Sequence, residues 1–202
     1  MQSIDSKILS RIYGRGKGGV FTPGYFMDLG SRQAVDLALH RLAKNGTLRR
    51  LARGLYDYPR IEPGLGLLYP TIDAVVEALK GRDNILLQPS GGYAANLLGL
   101  SDQVPMKIVF LTDGPARRVQ IGKQVIMLKH TTPRAMATAG RISGLVIQAL
   151  RHIGQAHVDD AVVARLQKRL TADDKKQLLR DIRHAPAWIA AIFRRIADPE
   201  AK

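Results

Sequence analysis

Apolar residues recur at helical spacing almost from the first position. In "SIDSKILSRIY", residues 3–13, Ile4, Ile8, Leu9 and Ile12 share a face, which predicts an amphipathic helix. "GRGKGG" breaks it. "FTPGYFMDLG" then offers Thr22 as N-cap and Pro23 as first helical residue, predicting a second, short helix that Gly30 stops. Ser31 caps a third helix, "RQAVDLALHRLAKNG", closed by Asn45-Gly46. At 100° per residue Ala34, Val35, Ala38, Leu39 and Leu42 lie on one side. Gln33, Asp36, Leu37, His40 and Lys44 lie on the other, with Arg41 on its flank.

"TLRRLARGLYDYP" changes the period. Leu48–Leu51 and Leu55–Tyr58 are predicted as two short strands around a turn at Ala52-Arg53-Gly54, with Gly54 supplying a positive φ. Helix, short helix, helix and hairpin is the order of a winged helix-turn-helix. Residues 59–70, "PRIEPGLGLLYP", carry prolines and glycines without periodicity and are expected to be a linker. Beyond it come a helix over 71–80, strands in "NILLQ", "KIVFLT", "RRVQI" and "QVIMLK", and a helix in "YAANLLGL". The end of the chain reads as helices near 134–153, 158–170, 172–183 and 186–197. The expected fold class is therefore α+β: a winged helix-turn-helix over 1–60, a linker over 61–70, and an α/β domain over 71–202 that ends in a helical bundle.

Composition is ordinary except in charge. Hydrophobic residues at 46% and charged residues at 24% suit a globular chain. Thirty-one Lys and Arg against seventeen Asp and Glu give a net charge of +14, which points to a polyanionic partner. The excess is spread, +6 over residues 1–69 and +8 over 70–202. No apolar run reaches the roughly 18 residues of a membrane span. The N-terminus lacks a signal-peptide pattern and there is no cysteine, so a cytoplasmic location is expected.

These features make double-stranded DNA the expected partner. Arg32, Gln33, His40 and Arg41 on the third helix are placed to reach base edges, where Arg pairs with guanine and Gln with adenine. Lys44, Arg49, Arg50 and Arg53 are expected at phosphates, which set affinity without reading sequence. Asp36 is repulsive there unless it accepts from a cytosine amino group or pairs with an arginine. Leu37 offers either a thymine-methyl contact or part of a dimer seam, so monomer and homodimer both stay open.

Catalytic readings are weak. Lys17 precedes Gly18 instead of the Ser or Thr of a phosphate-binding loop, and no strand precedes the glycines. Ser90 in "QPSGGYAAN" lacks the G-x-S-x-G of a nucleophile elbow. Asp113 and Lys129 lack the second carboxylate of a nuclease site, and the five histidines have no ligand spacing. No metal, cofactor or catalytic residue is expected.

The runs "AVDLALHRLAKNGTLRRLARGLYDYPR" and "PSGGYAANLLGLSDQVPMKIVFLTDG" resemble the AbiEi-type antitoxin and transcriptional-regulator family of type IV toxin-antitoxin systems. The resemblance spans most of the chain and is looser in the helical tail. It implies a repressor that binds repeats in the promoter of its own operon, with Arg32–Lys44 as reading helix and Leu48–Tyr58 as wing. It also implies that the C-terminal domain counters a nucleotidyltransferase-like toxin, although no individual residue carries over for that role. The alternative is a protein-binding module that neutralises an acidic toxin by direct contact.

Overall fold

A computed structural model of the chain describes residues 3–103 and 105–198, with the side chain of Arg82 outside the description; the last four residues of "RRIADPEAK" lie beyond it. The chain is α+β. It divides into two compact units, one running through Ile85 and taking in Val119–Lys123, the other holding Leu86–Arg118 and the chain from Gln124 onward.

In the first unit α1, Ile4–Arg15, begins at Ser3, whose hydroxyl accepts from the Ser6 N–H. It buries Ile8 and Ile12 and runs two residues past the expected end. Strand β1, Val20–Phe21, was not foreseen. Two residues are too short to show a period, and the strand exists because β3 offers an edge to pair with. A 3-10 helix follows at Pro23–Phe26; Thr22 precedes it without making the expected side-chain cap. Helix α2, Arg32–Lys44, is capped by Ser31, which accepts from the Ala34 N–H. Its buried side is Val35, Ala38, Leu39 and Leu42. These pack with Ile8, Ile12, Phe21, Phe26, Leu48 and Tyr56 into one core.

Strands β2, Arg49–Ala52, and β3, Leu55–Asp57, form the expected hairpin, with Ala52 opposite Leu55 and Gly54 at φ 66°. β1 pairs antiparallel on the other side of β3, giving the order β1-β3-β2. Residues expected as linker instead hold a second hairpin, β4, Arg60–Glu62, and β5, Gly66–Leu68. Its positive-φ turn glycines, Gly64 and Gly66, make a hairpin out of what reads as punctuation. Helix α3, Ile72–Asp83, follows in the same unit, capped by Thr71 and ended by Asn84 in the left-handed region.

The second unit starts with β6, Leu87–Ser90, and α4, Gly91–Leu97. Strands β7, Lys107–Thr112, and β9, Gln124–His130, follow in this unit, while β8, Arg117–Ile121, begins in it and runs into the Val119–Lys123 segment of the first. The sheet order is β6-β7-β9-β8, with β6 antiparallel and β9 parallel to β7. The helix expected over 134–153 is two: α5, Pro133–Met136, and α6, Ile142–Ile153. They are separated where Gly140 takes φ 76°. α7, Asp160–Arg169, α8, Ala172–Arg180, and α9, Ala187–Ala197, complete the tail. Ala94, Val146, Leu150, Leu166, Leu178 and Phe193 bring α4 and α6–α9 into one apolar core. Buried Asp181 ties the start of α6 to the end of α8, accepting from Arg141, Ser143 and Gln177.

Candidate nucleic-acid interface

The outer side of α2 carries mostly hydrogen-bonding side chains. Arg32, Gln33, His40, Arg41 and Lys44 are exposed, Asp36 is half-buried, and Leu37 is 58% exposed. Two of the cations on this surface are held by acids. Arg32 Nε donates to Asp36 at 2.9 Å, one turn along the same helix. Arg41 donates twice to Asp5 of α1, at 2.9 and 2.6 Å. Those bonds hold the Asp5 carboxyl below its ordinary range against the opposing effect of partial burial, and raise the Arg41 guanidinium. Gln33, His40 and Lys44 make no side-chain bond with the described residues.

The hairpin sorts its arginines into different roles. A bulge between Arg50 and Ala52 shifts the register by one, so Arg49 faces Asp57 and Arg50 faces Tyr56. Arg49 donates to both oxygens of Asp57, at 3.0 and 2.6 Å, and to the Leu68 carbonyl at 2.8 Å. Its guanidinium also lies 4.3 Å from the centre of the Tyr69 ring. Asp57 is only 1% exposed, so the pair is a buried ion pair of the fold. Arg50 and Arg53 remain exposed. The structure therefore brings Arg50 and Arg53 to the hairpin surface and turns Arg49 away from it. Tyr56 is buried in the core and Tyr58 stacks on Tyr13 at 5.4 Å, so both tyrosines pack the hairpin.

The ion pairs also locate the positive excess. Residues 1–69 hold eleven basic and five acidic side chains. Each acid pairs with an arginine: Asp5 with Arg41, Asp28 with Arg11, Asp36 with Arg32, Asp57 with Arg49 and Glu62 with Arg60. Five of the eleven cations are thus matched by acids, and Lys7, Arg15, Lys17, Lys44 and Arg50 are among those that carry the excess. Sequence patterning found Lys44, Arg50 and Arg53 and did not single out Lys7 or Arg15.

The residues considered for chemistry are structural where their bonds are seen. Ser90 Oγ donates to Gln148 at 3.1 Å and meets no base in that bond. Asp113 accepts the Leu86 N–H at 2.8 Å, closing the entry to β6. Among the described residues no three His, Cys, Asp or Glu are grouped to hold a metal ion, and no helix is long and apolar enough to cross a membrane.

Residues 7–178 match a family of unknown function, DUF6088, and the chain belongs to that family. No curated protein matches it.

Proposed function

We propose that this member of a family without an assigned activity is a DNA-binding transcriptional repressor. Its first unit is read as a winged helix-turn-helix, with α2 in the major groove and the β2–β3 hairpin as the wing. The observation that carries the reading is the exposed hydrogen-bonding side of α2, followed in the chain by a hairpin that presents Arg50 and Arg53. Gln33 and His40 are the base readers, because their polar groups are not engaged by the described residues. Lys44, Arg50 and Arg53 meet phosphates. Asp36 is tolerated beside DNA because Arg32 neutralises it, and Arg41 and Arg32 are oriented by the acids they hold. Arg49 is left out of the contact set, since its guanidinium serves Asp57.

The resemblance to AbiEi-type antitoxins supplies the finer reading: repeats in the promoter of the protein's own operon as the target, the cytoplasm as the place, and a cognate toxin countered through the second unit. Nothing catalytic is needed for it. The test is a mobility-shift titration on DNA upstream of the protein's own gene. Lys44→Ala/Arg50→Ala/Arg53→Ala should weaken binding to every sequence by about tenfold or more, whereas Gln33→Ala should cost about 1–3 kcal/mol on the preferred site and little elsewhere. Unchanged binding by the triple variant would sink the wing assignment.

A further inference from the structure

The second unit carries a cleft of about 380 Å³, within the span of about 300–1,000 Å³ usual for small-ligand sites. Three segments build it. α6 contributes Ile147, Gln148 and Arg151, consecutive turns of one helix face. α5 with its N-cap and the turn after it contribute Thr132, Arg134 and Thr138, the 3-10 turn Ile182–His184 contributes His184, and Pro186 caps α9. The turn is pressed onto α6 at Gly144, where a Cβ would run into the Thr138 carbonyl and lie 2.5 Å from Gln88 Oε1.

The chemistry of the wall is one-sided. Arg134 and Arg151 are exposed and make no ion pair or hydrogen bond with the described residues, and the lining contains no carboxylate. Gln148 is buried, and its Oε1 accepts from Ser90 Oγ at 3.1 Å. That bond orients the amide so that Nε2, which has no partner among the described residues, is left as a donor. Thr132 Oγ1 accepts the Ala135 N–H at 3.4 Å, which leaves its own proton to donate. Arg183 Nε donates to His184 Nε2 at 3.3 Å, so the neutral imidazole carries its proton on Nδ1, a further donor. Beside these donors stand the apolar surfaces of Ile147, Ala185 and Pro186.

From this we infer that the cleft binds a small phosphate monoester of nucleoside-monophosphate size. The Arg134 and Arg151 guanidiniums and the Gln148 amide take the phosphate, and the Ile147–Pro186 wall takes the ring. Two arginines without a counter-charge match a group of about −1.5 to −2, whereas a single carboxylate would leave one cation unmet. The donors outnumber the two oxygens of a carboxylate and suit the three free oxygens of a phosphate monoester. Ser90 acts as a positioning residue that fixes the amide. The inference stands apart from the DNA reading, because every residue in it belongs to the second unit.

The test is isothermal titration of the full chain with the four nucleoside 5′-monophosphates, and with inorganic phosphate, adenosine, a short dicarboxylate and an acidic peptide as comparison probes. One or more monophosphates should bind at least tenfold more tightly than any comparison probe. Arg134→Ala/Arg151→Ala should lose that binding by at least tenfold, with its melting temperature kept as for other surface substitutions. Ser90→Ala should weaken the same binding severalfold, whereas Lys44→Ala/Arg50→Ala should leave it unchanged. Equal binding by the Arg134→Ala/Arg151→Ala protein would place the anions elsewhere and overturn the assignment. So would failure of every monophosphate, or binding of the acidic peptide alone, which would mark the cleft as a protein contact.

Discussion

Arg49 and Arg50 are neighbours of the same type, and the fold gives them opposite duties. Asp57 is 1% exposed and depends on Arg49 for neutralisation. Removing one partner of a buried pair leaves the other charge unmet and typically costs about 3–5 kcal/mol. Arg49→Ala or Asp57→Asn should therefore lower stability by about 3 kcal/mol in a denaturant titration, whereas Arg50→Ala should stay within about 0.5 kcal/mol. DNA affinity at a temperature where both proteins are folded should respond in the opposite order. A stability loss for Arg50→Ala as large as that for Arg49→Ala would contradict the register. The sequence presents Arg49, Arg50 and Arg53 as one basic cluster, because a plain two-residue hairpin closed at Ala52–Leu55 would set Arg50 against Asp57. Only the bulge reassigns the partner, and no residue in "RRLARGLYD" announces it.

Elements bounded by caps and long periods were legible, and elements made by their partners were not. Ser31 and the apolar side of α2 define that helix within a residue, because cap chemistry and 3.6-residue spacing are local. β1 and the β4–β5 hairpin depend on pairing across the chain, so their short segments look like loops. The joint between α1 and α2 is of the second kind, since nothing local connects Asp5 with Arg41. It has a pH signature. The Arg41 hydrogen bonds depress the folded-state pKa of Asp5, so the pair adds stability above the unfolded value of about 3.9 and loses it as pH falls through the lower folded value. Asp28 beside Arg11 behaves in the same direction. The melting-temperature gap between wild type and Asp5→Asn should thus be full and constant from pH 7 to about pH 5, and close toward pH 3. A gap that widened on acidification would reverse the assigned sign.

At the scale of the whole molecule the question is what a net charge of +14 does. Net charge alone speaks of association and not of fold, and the sequence spreads it evenly along the chain. The ion pairs make it specific over residues 1–69, where each acid is matched to an arginine and Lys44 and Arg50 of the proposed DNA surface are among the cations left to carry the excess. In the second unit the one-sided cleft of Arg134 and Arg151 is a different basic feature with no sequence motif, because its residues converge from segments up to about fifty positions apart. These two features respond differently to salt. Neutralising Z phosphates of duplex DNA gives log affinity a slope of about −0.9Z against log salt. If Lys44, Arg50 and Arg53 each meet one phosphate, the triple Ala variant should bind with a slope shallower by about 3 than wild type. Arg134→Ala/Arg151→Ala should leave the slope unchanged. Fluorescence anisotropy on labelled operator DNA between 50 and 200 mM salt, roughly the range over which such slopes are read, measures both. Equal slopes for wild type and the triple variant would move the phosphate contacts to other cations, with Lys7, Arg15 and Lys17 the first to examine, since no described carboxylate pairs with them in residues 1–69.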